Sequence, residues 1–116
     1  MPVDRADRPL VRLHGEIRSP PFSSEARVEA GELLRRLQRR EAVALPHSRP
    51  MPIVGPACHE LRIVDAGASW RIVYHLRSDA VVTLAIFAKK TRRTPAQQIE
   101  ASRDRLRRYL RDIGAR

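Results

Sequence analysis

Three β-type segments follow one another between residues 59 and 87, and this feature constrains the fold most. Residues 59–64 and 70–76 alternate apolar and polar side chains, as strands with one buried face do. Residues 80–87 are almost continuously apolar, which is typical of a central strand buried on both faces. Because only a few residues separate the segments, they predict an antiparallel three-strand meander.

A helix is predicted directly after the third strand. Thr94 suits the N-cap position, Pro95 suits the first helical position, and Gln97 completes a Thr-x-x-Gln capping box. Apolar residues then recur at helical spacing up to about Asp112. Four cations lie between the strand and this helix, which places them on a short, stiff corner: Lys89, Lys90, Arg92 and Arg93.

The N-terminal half predicts a strand, a helix and a long loop. Residues 10–14 read as a short strand, and residues 23–40 as an amphipathic helix that Ser23 or Ser24 can cap. Residues 42–58 hold so much proline that neither a helix nor a central strand is expected there. Residues 1–9 are expected to be loose. We therefore predict one α+β domain over residues 1–116, in which a small antiparallel sheet (an N-terminal strand plus the meander) packs with an N-terminal and a C-terminal helix.

The charge of the chain is strongly basic and unevenly distributed. The 116 residues carry 23 Lys and Arg against 13 Asp and Glu, a net charge of +10. Residues 89–116 alone hold ten of the basic residues and three of the acidic ones. Most of the cations are arginines, which bind phosphate through two parallel hydrogen bonds. Nucleic acid is therefore the first expected partner, and an acidic protein the second.

Other classes of protein are disfavoured by composition. One cysteine excludes an internal disulfide and fits a reducing compartment. No apolar run reaches membrane-spanning length, and the N-terminus lacks a signal-peptide core. The four histidines show no metal-ligand spacing, and five aromatic residues are too few for a stacking platform. We expect a cytoplasmic protein without a membrane partner, a metal ion or another cofactor.

Three motifs occur in order at meander spacing and precede the capped basic helix. Together they resemble the RelE/ParE toxin superfamily, above all its HigB-like, phage-derived branch, over about residues 33–110. The motifs are Glu60-Leu61-Arg62, then Trp70-Arg71-Ile72-Val73-Tyr74, then Phe87-Ala88-Lys89-Lys90-Thr91 before Thr94-Pro95.

The resemblance implies a RelE-like fold and the toxin of a type II toxin–antitoxin pair. Such toxins are typically endoribonucleases that cut mRNA, usually on the ribosome, without a metal ion. A cognate antitoxin, often with a helix-turn-helix domain, masks them. Several relatives carry a catalytic His or Tyr near the chain end or on the last strand. Here that strand ends in Phe87-Ala88, so the identity of the proton-transfer group stays open.

Metal-free RNA cleavage requires a base near the attacking 2′-hydroxyl, cations around the phosphate, and an acid for the leaving oxygen. Arg62 and Arg71 lie on neighbouring predicted strands and suit a phosphate clamp, with Lys89 beside them. Tyr74 and His75 are the candidates for proton transfer. A second group of cations is predicted to contact nucleic-acid phosphates: Lys90, Arg92, Arg93, Arg103 and Arg107.

Each of these residues also has a plainer interpretation. Arg62 and Arg71 are equally typical of solvated strand positions or of ion pairs with Glu60 or Asp65. Lys89 and Lys90 are typical of edge charges that prevent aggregation. Tyr74 has the spacing of a core residue. It lies three residues after Arg71 on the same strand, so the two side chains point to opposite faces of the sheet unless the strand bulges.

Two other functions remain open at the level of sequence. One is a non-enzymatic toxin that binds a protein target, as ParE relatives inhibit DNA gyrase. The other is a relative that binds RNA and its antitoxin without cleaving. The leading expectation is the ribonuclease. The resemblance carried by the three ordered motifs implies this activity, and cations held on a rigid corner suit it because they can be aimed at one phosphate.

Overall fold

The computed structural model describes residues 6–13, 22–66, 68–89 and 94–114. Its architecture is α+β, as the sequence predicts, with one five-stranded sheet and two helices. In chain order the elements are β1 (Leu10–Arg12), α1 (Ser24–Gln38), β2 (Ser48–Pro50), β3 (Cys58–Val64), β4 (Ser69–Leu76), β5 (Val81–Lys89) and α2 (Ala96–Asp112).

The strands are ordered β1-β5-β4-β3-β2 across the sheet. The antiparallel meander of β3, β4 and β5 is confirmed. The N-terminal strand β1, however, runs parallel to β5, with Leu10 opposite Val81. The sheet is therefore mixed rather than wholly antiparallel. β1 and β5 are distant in sequence, so no tight turn imposes an antiparallel direction on them.

Strand β2 lies inside the proline-rich segment, where the sequence predicts an unbroken loop, so that prediction is wrong at this point. It pairs antiparallel with β3 and forms one edge of the sheet. Pro50 ends the strand, opposite His59. An edge position tolerates a proline because one side of the strand has no ladder partner to lose.

Helix α1 covers one face of the sheet. Its N-cap is Ser23, one of the two predicted caps, and the Ser23 hydroxyl accepts a hydrogen bond of 3.1 Å from the backbone N–H of Ala26. The buried stripe of the helix packs with Leu61, Ile63 and Ile72 of the sheet. That stripe consists of Ala26, Ala30, Leu33 and Leu37.

Helix α2 covers the opposite face of the sheet. Leu106 packs there in a second core with Val73, Val82 and Leu84. A Cβ atom on Gly55 would lie 2.8 Å from Leu106 Cδ2, so the segment before β3 packs closely on α2, and a larger residue at position 55 would force the Leu106 side chain to shift. Within the described ranges, neither helix is long and apolar enough to cross a membrane.

A bulge in β5 changes which side chains this strand presents. Val73 of β4 lies opposite Ala85 and Tyr74 opposite Thr83, so Leu84 is the extra residue. The guanidinium of Arg105 on α2 donates a hydrogen bond of 2.6 Å to the Leu84 carbonyl. Beyond the bulge, Ala85 and Phe87 belong to the α2 side of the sheet.

Candidate functional site

Basic side chains from four neighbouring strands meet on the α2 face of the sheet. Arg62 of β3 lies directly opposite Arg71 of β4, which in turn lies opposite Phe87 of β5. Lys89 follows two residues after Phe87 on the same side of the strand. From β2, Arg49 lies opposite Glu60, two residues before Arg62. We call Arg49, Arg62, Arg71 and Lys89 the basic cluster.

Glu60 is the carboxylate around which the basic cluster is arranged, and its side chain is fully buried. Its Oε1 lies 3.2 Å from Arg49 Nε and 3.3 Å from Arg71 Nε. Its Oε2 accepts a hydrogen bond of 2.8 Å from the hydroxyl of Thr94. Burial of a carboxylate is tolerated only when such partners replace its lost water.

The guanidinium of Arg71 is fixed on several sides. It is buried, and its Nη1 donates to the Ser69 hydroxyl at 2.6 Å and to the Trp70 carbonyl at 3.0 Å. Its Nε lies within ion-pair distance of Glu60 but is not aligned for a hydrogen bond. Arg71 is therefore pre-oriented, which reduces the entropy lost when it binds an anion.

Arg62 is the more available of the two paired arginines. It is half-buried, and among the residues that the structure describes no carboxylate lies within ion-pair distance of its guanidinium. Of the plainer interpretations, an ion pair with Glu60 thus applies to Arg71, whereas Arg62 pairs with neither Glu60 nor Asp65 and is a partly exposed strand position. Arg62 retains its full donor set for an incoming ligand.

Burial, and after it repulsion between cations, lowers the pKa values of Lys89 and Arg71. The pKa of Lys89 is lowered, first by burial and then by Arg71, Arg49 and Arg62, while Glu60 opposes the shift. The pKa of Arg71 is likewise lowered by burial and by Arg62 and Arg49, against Glu60. One carboxylate therefore serves several cations, and the site keeps an excess of positive charge that an anion would neutralise.

An open pocket of about 270 Å³ lies beside the arginine pair. Arg62, Arg71 and Ser69 line it from the sheet. Pro46 and His47, which precede β2, line it as well, and the remaining lining residues are Glu29 and Val64. The pocket therefore lies beside both arginines, of which Arg62 is the one whose guanidinium is free to bind a phosphate through paired hydrogen bonds.

Three of the five predicted catalytic residues, Arg62, Arg71 and Lys89, come together here, whereas Tyr74 and His75 do not. Tyr74 is buried on the α1 face, where its hydroxyl hydrogen-bonds that of Ser48 at 2.7 Å and its ring stacks on His59. Burial raises its pKa. This placement agrees with the core interpretation, because the alternation of β4 turns Tyr74 away from Arg71.

His75 does share the α2 face with Arg71, but it lies four residues further along β4, about 13 Å away. It is buried, its Nδ1 donates to the Pro56 carbonyl at 2.9 Å, and Cys58 Sγ lies 3.7 Å from the same nitrogen. Burial is the main cause that lowers its pKa. The distance and the burial together separate His75 from the basic cluster.

The predicted nucleic-acid contacts divide into two sets. Lys90, Arg92 and Arg93 lie outside the described residues. Arg103 and Arg107 are exposed on α2, more than two helical turns beyond Thr94. They flank a second open pocket, of about 310 Å³, whose walls include Val54, Gly55 and Leu106.

The capping box predicted for α2 is wrong. Pro95 is the N-cap, and no side chain caps the helix. The Thr94 hydroxyl donates instead to Glu60, because a buried carboxylate competes for it more strongly than a solvated backbone N–H does. This hydrogen bond ties the start of α2 to the basic cluster.

From the sequence, Glu60 is expected only as an ion-pair partner of the arginines, and Arg49 and His47 are not expected at the site. Glu60 lies two residues before Arg62 and therefore shares its face of the strand, which is the signal that could have placed it in the site. Arg49 and His47 lie among prolines that hide the short strand β2, so no periodicity marks them. Among the described residues, no three of His, Cys, Asp or Glu are grouped as metal ligands.

Comparison with protein families places the chain beside a phage-derived group. Residues 20–107, about three quarters of the chain, match the family described as Phage derived protein Gp49-like (DUF891). The match spans α1, the meander and most of α2, and therefore the whole basic cluster. No curated protein matches the chain.

Proposed function

Since the chain belongs to the phage-derived Gp49-like family, which is associated with RelE-type toxin-like proteins, we propose that it is the toxin of a type II toxin–antitoxin pair. We propose further that it is an endoribonuclease that cleaves mRNA on the ribosome without a metal ion. Its expected partners are mRNA, the ribosome and a cognate antitoxin that carries a helix-turn-helix domain.

One observation carries the ribonuclease proposal: Arg62 and Arg71 lie side by side on neighbouring strands at an open pocket, and the guanidinium of Arg71 is already held in place. When the 2′-hydroxyl of RNA attacks the adjacent phosphorus, negative charge develops on the phosphate oxygens. Donors that are already in place stabilise that charge without reorganising. Lys89 adds a third positive charge at the same face of the sheet.

Inducible expression with mapping of RNA 5′ ends tests the proposal. The wild-type chain should generate new 5′ ends within coding regions, and Arg62→Ala should reduce them by about 100-fold or more, as loss of a transition-state donor does. Arg12→Ala is the matched control, because it removes an exposed strand arginine outside the site and should cleave like the wild type. Full cleavage by Arg62→Ala would show that the site is assigned incorrectly.

A second candidate function is binding of RNA and antitoxin without cleavage. The observation that favours it is the saturation of Glu60, whose two oxygens already serve Arg49, Arg71 and Thr94. Both oxygens of this carboxylate are therefore engaged within the protein. In that case the purified protein would bind RNA with a steep salt dependence and leave it intact. Intact mRNA together with DNA damage would instead indicate a protein target such as gyrase.

A further inference from the structure

His47 lies at the pocket beside the basic cluster, where the proposed reaction lacks a proton-transfer group. Its side chain is exposed, and it lines the same pocket of about 270 Å³ as Arg62 and Arg71. Of the other histidines that the structure describes, His75 is buried far along β4 and His59 stacks on Tyr74.

His47 lies directly before β2, beside Arg62. The backbone N–H of Arg62 donates to the His47 carbonyl at 2.8 Å, and Ser48, the first residue of β2, lies opposite Leu61. The N–H of His47 donates to the Ala44 carbonyl at 3.0 Å, so His47 ends the turn that leads into β2. His47 lines the open pocket together with Arg62 and Arg71, and this shared pocket places it beside the arginine pair.

His47 and Lys89 flank the arginine pair from opposite sides. The cross-strand row through the arginine pair runs from His47 before β2 through Arg62 on β3 and Arg71 on β4 to Phe87 on β5, and Lys89 lies two residues beyond Phe87, opposite Ser69. Neighbouring strands are about 4.8 Å apart and alternate residues of a strand about 7 Å apart, so His47 and Lys89 lie on opposite sides of a phosphate held by the two arginines, with Lys89 displaced along β5. In-line attack at phosphorus needs this arrangement, because the attacking and leaving oxygens lie on opposite sides of the phosphorus atom.

Building on the proposed ribonuclease function, we propose that His47 is the general base and Lys89 the general acid of RNA cleavage. The His47 imidazole accepts the proton of the 2′-hydroxyl while that oxygen forms its bond to phosphorus. The bond from phosphorus to the 5′ oxygen breaks, and this oxygen takes a proton from the Lys89 ammonium. The products are a 2′,3′-cyclic phosphate and a 5′-hydroxyl, after which water restores both side chains.

The surroundings of each group suit its role. Burial and the neighbouring arginines lower the pKa of Lys89, which makes its ammonium a readier proton donor. The charged groups that face the His47 pocket are Glu29 from α1, Arg62 from β3 and Arg71 from β4. Because His47 is exposed, its proton exchanges directly with solvent after each turnover.

The test of His47 uses single-turnover cleavage of mRNA on programmed ribosomes between about pH 5 and 8, the range in which an imidazole loses its proton. The wild-type rate should rise across this range. His47→Gln should be at least about 100-fold slower at neutral pH and should lose the rise. His59→Gln, on the opposite face of the sheet, is the matched control and should retain both. An unchanged rate and pH profile in His47→Gln overturns the proposal.

A second substrate separates the base from the acid. If sulfur replaces the bridging 5′ oxygen at the cleaved phosphate, the leaving thiolate needs no proton. Lys89→Ala should then recover most of its lost rate, whereas His47→Gln should remain slow. Recovery by His47→Gln would overturn its role as the base. Absence of cleavage by the wild-type protein overturns the proposed function and this inference together, while wild-type cleavage with an unaffected His47→Gln overturns only the inference.

Discussion

At the scale of the residue, Glu60 is the side chain on which the basic cluster depends. It is buried between Arg49, Arg71 and Thr94, and every one of these contacts uses a carboxylate oxygen. Without that charge, the guanidinium of Arg71 would be buried among other cations. The carboxylate therefore contributes to function indirectly, by allowing arginines to approach one another before any phosphate is bound.

We predict that Glu60→Ala lowers the free energy of unfolding by about 3–5 kcal/mol, the usual effect of leaving a buried charge without its partner. Glu60→Gln should lose less, because it keeps the shape and one acceptor oxygen. Urea denaturation measures both. Glu41→Ala is the control, since Glu41 pairs with Arg36 and Arg39 at the exposed surface and its removal should hardly move the midpoint. Equal midpoints for Glu60→Ala and the wild type would contradict the prediction.

The buried His75 predicts a pH dependence of stability. Burial lowers its pKa from the ordinary value of 6.5, and it also lowers that of His59. Below that ordinary value the unfolded chain takes up protons that the folded chain does not. The free energy of unfolding should therefore fall as the pH drops from about 7 to 5. In His75→Phe the free energy of unfolding should depend less on pH. Unfolding midpoints of both proteins, measured from about pH 7 to 5, test this. If the midpoint of the variant changes with pH as steeply as that of the wild type, the prediction is wrong.

At the scale of the element, α2 is anchored to the site through the residue before its N-cap. Thr94 is buried, and its hydroxyl reaches across to Glu60 on β3. Further along the helix, Arg105 donates to the carbonyl that the β5 bulge leaves free at Leu84. The helix is thus positioned by polar contacts at both the site and the bulge, in addition to the packing of Leu106.

We predict that Thr94→Val, which keeps the shape and removes the hydroxyl, lowers the free energy of unfolding by about 1.5–3 kcal/mol, the range for a hydrogen bond to a charged group. It should also speed amide exchange in the first turn of α2. Thr94→Ser should restore most of the stability. Ser23→Ala is the control at the other helix: it removes a true N-cap, costs about 1 kcal/mol and should leave exchange in α2 unchanged. If the amides in the first turn of α2 exchange as slowly in Thr94→Val as in the wild type, Thr94 does not anchor the helix.

At the scale of the whole molecule, the positive charge is divided between two surfaces. The basic cluster lies on the sheet around a buried carboxylate, whereas Arg103 and Arg107 are exposed on α2 beside a separate pocket. Fixed cations at the sheet suit one phosphate at the reaction. Exposed arginines on a helix suit less specific contacts along a nucleic-acid backbone.

If α2 contacts RNA in this way, the double variant Arg103→Ala, Arg107→Ala should weaken RNA binding and reduce its salt dependence. For single-stranded RNA, the slope of log affinity against log salt should fall by about 0.7 for each phosphate that the variant no longer neutralises. The charge-matched control is Arg35→Ala, Arg36→Ala on α1, which covers the opposite face of the sheet. RNA titrations at several salt concentrations measure the affinity and its slope for both double variants. If the two variants weaken RNA binding equally, α2 is not the specific contact surface.

The meander, both helices and the pairing of Arg62 with Arg71 could be predicted from local patterns. Alternation and apolar runs identify β3, β4 and β5, and short connections fix their direction, because these signals depend only on neighbours in the chain. Strand β2 could not be found in this way. An edge strand of three residues ending in proline has no periodicity to detect, so Arg49 and His47, which it positions, were also missed.

An α+β fold, a buried strand followed by cations and a surplus of positive charge can all be derived from local patterns and composition. Which of the cations lie together depends on contacts between distant parts of the chain. The bulge in β5, the pairing of β2 with β3 and the capture of Thr94 by Glu60 all join residues far apart in the chain. A buried carboxylate pairs with whichever cations and donors lie close to it in the folded protein, and the spacing of residues along the chain does not give those distances.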